Sequence, residues 1–473
     1  MSSSRFIQVR PDNVNSDQTI SFKSGFPTLS FTIPAQNGIL DPRSIRINGE
    51  LMVFRGFDNA AAGRPGFPVY DQDGANRITM DNRLGIYAMW DQLVIRHNKT
   101  KQICENIQNY NRYMSQYLGL TSSVQDLTGH MNESSLIQPN ADAMFFNVVA
   151  NGTSAGSGGG VAVKARRPKS FSCYLPCGFL MNGQSVNLME NAFGGLTIEL
   201  HLSPDSNCLF SRSGVVDANN AEAHYELSKL SLSCEVHDLD AEELARLRQE
   251  TTGEHEFNTI TSLYTTINST NAQIQYSLGL RYLQSAFLNF VPATHINSLA
   301  SNGLALTQMS NSGGGLVSIK SLQFLRGGSN YPLDFTIRDN SQITGNATDL
   351  ATAGANAVFQ VSDPQINRML AESVVPEAMV DKTSMSPANM SRNYTLSSNG
   401  GLAPSYKNIK AGGPLYGLGV RMSQFNSGED FSQEQFGVSL ESDLTSDNPQ
   451  GVYLYFKSKA KLVWSASGVN LLK

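Results

Sequence analysis

Cysteine, histidine and acidic side chains are the groups in this 473-residue chain that could bind a metal, attack a carbonyl or move a proton. The cysteines are Cys104, Cys173, Cys177, Cys208 and Cys234. Cys173 and Cys177 stand at C-x3-C, but no second Cys/His pair at ligand spacing follows, so buried free thiols are expected in place of a zinc site. The histidines (His97, His130, His201, His224, His237, His255, His295) are scattered. His224 and His237 lie near one strand, too far apart to share a turn. His255 sits in GEHEF between two glutamates, where a metal or acid–base role is weighed against an exposed linker, and the linker is expected. Asp71-x-Asp73-Gly74, with Asp58 and Asp81 nearby, carries a fragment of a calcium loop without its remaining ligands and reads as a turn. Gly156–Gly160 is not followed by Lys-Ser/Thr, so it is no phosphate cradle, and neither H-E-x-x-H nor a Walker A loop occurs. The expectation is a chain with no catalytic, cofactor-binding or metal-ligating residues, and so not an enzyme.

The composition asks for a different kind of work. Apolar residues make up 40% and charged residues only 16%, against roughly 25% charged in an average soluble domain. Asn, Ser, Gly and Thr supply the missing polarity, which suits strands joined by many turns. It also suits a surface largely covered by copies of itself, because interface cores are depleted of charge. The net charge is −5 and the pI about 5.8, where a nucleic-acid binder usually shows a basic stripe. The basic clusters are short: Lys164, Arg166, Arg167 and Lys169, and then Lys457, Lys459 and Lys461 along one strand. Both read as a solvated face or a Lys-guarded edge strand. An odd cysteine count argues against a disulfide framework and for a reducing assembly site. MSSSRFIQVRPDN holds no apolar core of signal-peptide length, so cytosolic synthesis is expected, and the seven Asn-x-Ser/Thr sequons read as products of composition.

The elements that carry these residues are mostly strands. Residues 1–40 read as an N-terminal arm. In SIRINGELMVFRGF, Ile45, Ile47, Leu51 and Val53 take alternate positions, with Asn48-Gly49 as an interrupting turn or bulge. Trp90, Leu93, Val94 and Ile95 form a strand that turns at His97-Asn98-Lys99 and re-enters at Ile103 and Cys104. From Ile107 through Tyr110, Tyr113, Met114 and Tyr117, three- and four-residue steps predict a helix ending near Gly119. Residues 121–170 read as a long loop. GGLTIELHLS and YELSKLSLSCEVHDL are strands. DAEELARLRQET, at 240–251, is the only strongly charged helical stretch and separates two β-rich halves. The second half repeats the plan: NAQIQYSLGLRYLQSAFLNFV, the hairpin LVSIKSLQFLRGGSNYPLDFTI, a short helix QINRMLAESVV, a polar loop near 383–414, and a closing strand. In that strand Val452, Leu454 and Phe456 line one face and Tyr453 and Tyr455 the other. The domain division is 1–40 arm, 41–239 first half, 240–256 connector and 257–473 second half.

WDQLVIRHNKTKQICENIQNYNRYMSQYL at 90–118, SAFLNFVP at 285–292 and LQFLRGGSNYPLDFTI at 322–337, with the two-half layout, carry a resemblance. The chain resembles the double jelly-roll major capsid proteins of double-stranded DNA viruses, and looks closest to those of virophages and polinton-like viruses. The resemblance implies an all-β fold: two tandem eight-stranded jelly-roll β-sandwiches with short helices in loops. It implies a homotrimer with a pseudo-hexagonal outline, tiling an icosahedral shell with neighbouring capsomers, a vertex (penton) protein and minor capsid or cement proteins. The location would be the virion, assembled inside the host cell, with no sequence-specific nucleic-acid contact. The alternative is a secreted or surface β-sandwich binding protein of lectin or adhesin type, against which the missing signal core and odd cysteine count stand. A carbohydrate-active enzyme would need paired acids and aromatic platforms, whereas Trp90 and Trp464 both sit in strand-like runs that core packing explains.

Overall fold

The protein is seen in a computed structural model that describes residues 3–54, 78–121, 134–137, 149–153, 162–165, 168–304, 319–331, 337–338, 418–422 and 428–473, with short gaps within them. Three large sheets carry these residues: a five-stranded sheet of the first half, a nine-stranded sheet shared by both halves, and a five-stranded sheet of the second half. The first-half sheet runs Ser4–Val9, His224–Asp238, Gly38–Phe54 and Lys169–Tyr174, with Val186–Asn187 also on Gly38–Phe54. The shared sheet begins Thr28–Pro34, Gly195–Leu202, Trp90–His97, Ile103–Gln108. It continues Gly253–Ile267, Gln450–Ser465, Leu283–Pro292, Leu418–Arg421, with Gly468–Leu472 also on Gln450–Ser465. The second-half sheet runs Asn271–Ser277, Gln435–Ser442, Ile319–Arg326, Ser329–Asn330, with Ile337–Arg338 also on Ile319–Arg326.

The two halves use one topology twice. In each, the first strand (Ser4–Val9; Gly253–Ile267) lies beside a long late strand (His224–Asp238; Gln450–Ser465), which lies beside the third (Gly38–Phe54; Leu283–Pro292), while the second (Thr28–Pro34; Asn271–Ser277) lies beside Gly195–Leu202 or Gln435–Ser442, so the chain crosses repeatedly between two facing sheets. Among the described residues the pairing of strands is antiparallel except at the join, where Asn106 and Thr261 meet in parallel. The alternating apolar residues of each half point into its own sandwich. Ile45, Ile47 and Leu51 face Leu196, Ile198 and Leu200 in one core, whereas Leu288, Phe290, Val452, Leu454 and Phe456 meet Phe436, Val438 and Leu440 in the other.

Several expectations change. Of residues 1–40, Ser4–Val9 and Thr28–Pro34 pair with this chain's own His224–Asp238 and Gly195–Leu202, so they stand in the sandwich where an arm was expected. Asn48-Gly49 does not turn the chain; the strand runs through it, and the bulge lies on the partner strand opposite, where the register shifts between Ser228 and Ser231. A Cβ on Gly49 would stand 2.8 Å from the Leu230 side chain and 2.9 Å from Phe171, so the glycine is there for close packing. The strand Ile103–Gln108 runs past Ile107, and the helix spans Tyr110–Thr121, taking in Gly119. Asn109, at φ 53°, makes the corner between them. The connector helix is Ala241–Gln249, capped where Asp240 Oδ1 accepts from the Glu243 N–H at 2.9 Å, and Gly253 already begins the next strand. Segments 365–375 and 383–414 lie outside the described residues, as does most of 121–170, within which Val149–Thr153 and Ala162–Ala165 pair.

Phe287 and Tyr455 stack at 5.1 Å on the side of the second half that faces the helix Tyr110–Thr121, and both are buried. Phe287→Ala is expected to cost about 3–5 kcal/mol, read as a lower urea midpoint at unchanged slope.

Candidate functional site

The strongest concentration of buried polar chemistry lies where the halves meet. Tyr110 and Tyr113 of the helix stack at 6.0 Å, and Tyr113 reaches Phe287 at 6.2 Å and Tyr455 at 5.7 Å across the join. Apolar packing supplies the adhesion and directed polar groups supply the register. Tyr455 Oη donates to the Asn109 carbonyl at 3.0 Å, Asn289 Nδ2 to Gln116 Oε1 at 3.2 Å, and Ser115 Oγ to the Leu304 carbonyl at 3.0 Å. Arg112 is buried with its guanidinium 4.2 Å over the Tyr453 ring, donating to the Gly303 carbonyl and, at 3.3 Å, to Asn207 Oδ1. A guanidinium tolerates such a place because its charge is spread and its flat face suits an aromatic ring. Asp91 is raised above the usual carboxylate range by burial, with Arg112 pulling it back.

Glu105 is a second buried ionisable residue at the join. Its Oε1 accepts from the Gly178 N–H at 3.1 Å and the Ile260 N–H at 2.8 Å, and its Oε2 from the Phe179 N–H at 2.7 Å. Those donors come from both halves of the chain. Burial pushes this carboxyl up and the backbone donors hold it down. The backbones close tightly here: a Cβ on Gly178 would stand 2.3 Å from the Asn258 carbonyl oxygen. Neither Glu105 nor Arg112 is conspicuous by a motif. Their signal is a lone charge of each sign inside ICENIQNYNRYM, an apolar and amide-rich run.

The residues weighed from the sequence do not converge. The five cysteines are free and buried, and burial raises the Cys104 and Cys173 thiols to about 12 and Cys234 to about 11. His255 is not on an exposed linker. Strand alternation turns Glu254 and Glu256 out and His255 in, among Phe179, Phe193 and Phe257 at 5.4, 5.4 and 5.9 Å. Trp464, partly buried, packs edge-on against Phe193 at 5.6 Å, and Trp90 is wholly buried. His97 also meets Phe193, at 5.0 Å, and faces the Ala192 carbonyl at 3.2 Å through Nε2. His224 stacks on Phe54 at 4.8 Å. Lys457, Lys459 and Lys461 lie on a strand paired on both sides, so they guard no edge. Lys461 bridges to Glu254 at 2.5 Å and Glu256 at 3.6 Å. Asp81 is buried and accepts from Asn302 Nδ2 at 2.8 Å, while Asp58, Asp71, Asp73 and Gly156–Gly160 lie outside the described residues, with Arg166 and Arg167. Among the described residues no group of three His, Cys, Asp or Glu is placed to hold a metal, and no helix is long and apolar enough to cross a membrane.

No family model matches the chain, and no curated protein sequence does. Solved structures do match it. A PBCV-1 virus capsid structure is 10% identical, with 100% of this chain and 97% of that chain covered at a TM-score of 0.53. The Faustovirus major capsid protein is 11% identical over 98% of this chain and 91% of that one, at 0.51. The Sputnik virophage structure is 11% identical over 99% and 88%, at 0.50. These likenesses establish the all-β, double jelly-roll architecture expected from the sequence.

Two predictions follow from the geometry at the join. Glu105→Ala leaves three buried N–H groups without their acceptor and is expected to cost about 3–5 kcal/mol, with Glu105→Gln milder because its amide oxygen still accepts; denaturant titration of both checks this. Burial lowers His97 and His255 to about 4 from 6.5. Between those values the unfolded chain holds more protons, so these rings lower stability as pH falls from about 6.5 to about 4, by roughly 3 kcal/mol each at the limit. Glu105, shifted upward, acts in the opposite sense over its own range. His255→Phe is expected to lose less melting temperature than the parent protein between about pH 7 and 4.5, in scans at matched ionic strength.

Proposed function

We propose that this chain is the major capsid protein of an icosahedral double-stranded DNA virus and resides in the virion shell. The observation that carries this is the end-to-end match to capsid structures, which takes in both sandwiches and the segment between them. A shell tile needs stiffness and broad surfaces, and two features support this reading: a sheet shared across the halves, and a chain poor in charge. Three chains, each with two eight-stranded sandwiches, form a homotrimer of pseudo-hexagonal outline, and trimers tile the shell with a vertex protein and minor capsid or cement proteins. The working division of the chain stays at the 240–256 connector, with residues 1–40 joined to the first half on the strength of their pairing there. The virophage and polinton-like lineage is proposed on the motifs at 90–118, 285–292 and 322–337. Sequence-specific nucleic-acid binding is not part of the role, in keeping with a net charge of −5.

The purified chain is expected to sediment at three times 51.4 kDa, and electron micrographs are expected to show hexagonal outlines. A strict monomer at micromolar concentration would overturn the proposal.

A further inference from the structure

A segment that ties the second half to the first contains an Asn-Gly step. Residues 299–304 follow the strand Leu283–Pro292, and first-half groups hold them. The Ser211 N–H donates to the Leu299 carbonyl at 2.6 Å, Arg112 to the Gly303 carbonyl, and Ser115 Oγ to the Leu304 carbonyl at 3.0 Å. Both ends of the Asn302 amide are engaged here. Its Oδ1 accepts from the Leu304 N–H at 3.1 Å, and its Nδ2 donates to Oδ2 of the buried Asp81 at 2.8 Å. An amide oxygen that reaches the N–H two residues on folds its side chain over the peptide between, which brings Asn302 Cγ to the Gly303 nitrogen. Gly303 has no side chain to shield that nitrogen. The position keeps glycine, because a Cβ there would stand 2.5 Å from the His295 carbonyl oxygen. The other Asn-Gly steps with described side chains lack this arrangement. At Asn37-Gly38 the Gly38 N–H donates to the Gln36 carbonyl at 3.0 Å. At Asn48-Gly49 the chain is an extended strand, and Asn48 Nδ2 is committed to Ser233 Oγ at 3.0 Å.

We propose that Asn302 is a site of self-modification: the Asn302-Gly303 step deamidates in the folded chain, assisted by the Leu304 N–H and the Asp81 carboxylate. The Gly303 nitrogen gives up its proton and bonds to Asn302 Cγ. The C=O electron pair moves onto Oδ1, where the Leu304 N–H meets the new charge. The Cγ–Nδ2 bond then breaks and ammonia leaves. The proton lost from Gly303 is the one ammonia carries off, relayed through the Asp81 carboxylate that already touches Nδ2. Water opens the resulting cyclic imide at either carbonyl, and Asn302 is half-buried, so water reaches it. The product carries a carboxyl where the amide stood, on a normal or an isomerised backbone. That carboxyl faces Asp81 in place of a donor, and two carboxyls sharing a site repel. The contact that fixed the segment becomes one that pushes it away, so the join between the halves loosens as the protein ages.

Peptide mapping by mass spectrometry, which reads the exchange of an NH2 for an OH, tests this on the unaltered chain. In denaturant, Asn302 and Asn48 are both Asn-Gly steps in free chain and are expected to convert at comparable rates. In the folded protein, Asn48 is expected to convert at least about tenfold more slowly than in denaturant, whereas Asn302 is expected to convert as fast or faster. Asp81→Asn is expected to slow Asn302 by about tenfold or more in the folded protein and to leave its rate in denaturant unchanged. Asn302→Asp is expected to reproduce the lower melting temperature of aged protein. A folded parent protein in which Asn302 converts more slowly than in denaturant overturns the proposal, and that measurement decides the site even where Asp81→Asn fails to fold. A folded Asp81→Asn protein that converts at the parent rate overturns the part assigned to Asp81.

Discussion

The strands Leu283–Pro292 and Gln450–Ser465 have almost no face left in water. One side closes the second sandwich through Leu288, Phe290, Leu454 and Phe456, and the other carries Phe287, Val291, Tyr453 and Tyr455 into the first half's core. A strand apolar on both sides must be covered on both sides. The second half therefore cannot stand alone without exposing an aromatic face, and the helix Tyr110–Thr121 has to lie where it does. The tyrosines at three- and four-residue steps along it are the complement of that face.

Adhesion of this kind has no direction, and the buried polar groups add it. Three backbone donors from two halves converge on one carboxylate at Glu105. Sliding one half by a single residue would leave those donors unpaired in a place water does not reach, at a cost of about 1–3 kcal/mol for each. Arg112 acts similarly, holding Gly303 and Asn207 while its charge lies over Tyr453. The connector helix Ala241–Gln249 buries nothing of its own. Asn191 ties its end down, donating to the Leu247 and Glu250 carbonyls at 2.6 and 2.9 Å.

Packing also takes up the side chains with chemical potential. His255 and His97 are kept neutral among aromatics, and the thiols are kept protonated by burial. Each is costly to ionise where it sits.

The periodicity of single strands was legible from residues alone. Leu196 to Leu202 and Val452 to Phe456 alternate because one side of each faces a core. Tyr453 and Tyr455 were placed on the other face, and only the structure shows that face buried as well. The hairpin at Trp90–Gln108 and the charged helix after Asp240 were equally plain, since turn and cap chemistry is local. What the residues could not reveal was which strand lies beside which. Ser4–Val9 and Thr28–Pro34 look like arm segments, short and interrupted by Gly25 and Pro27, and only pairing with strands near residue 230 and residue 200 makes them part of the sandwich. His255 looked like a linker residue because the strand that buries it begins at Gly253, beside Trp464 from the far end of the chain. Glu105 was invisible for the same reason: its partners lie more than 70 and 150 residues away. Local propensity and alternation are written in neighbouring residues. The join between the halves is made by groups distant in sequence, and tertiary structure alone brings them together.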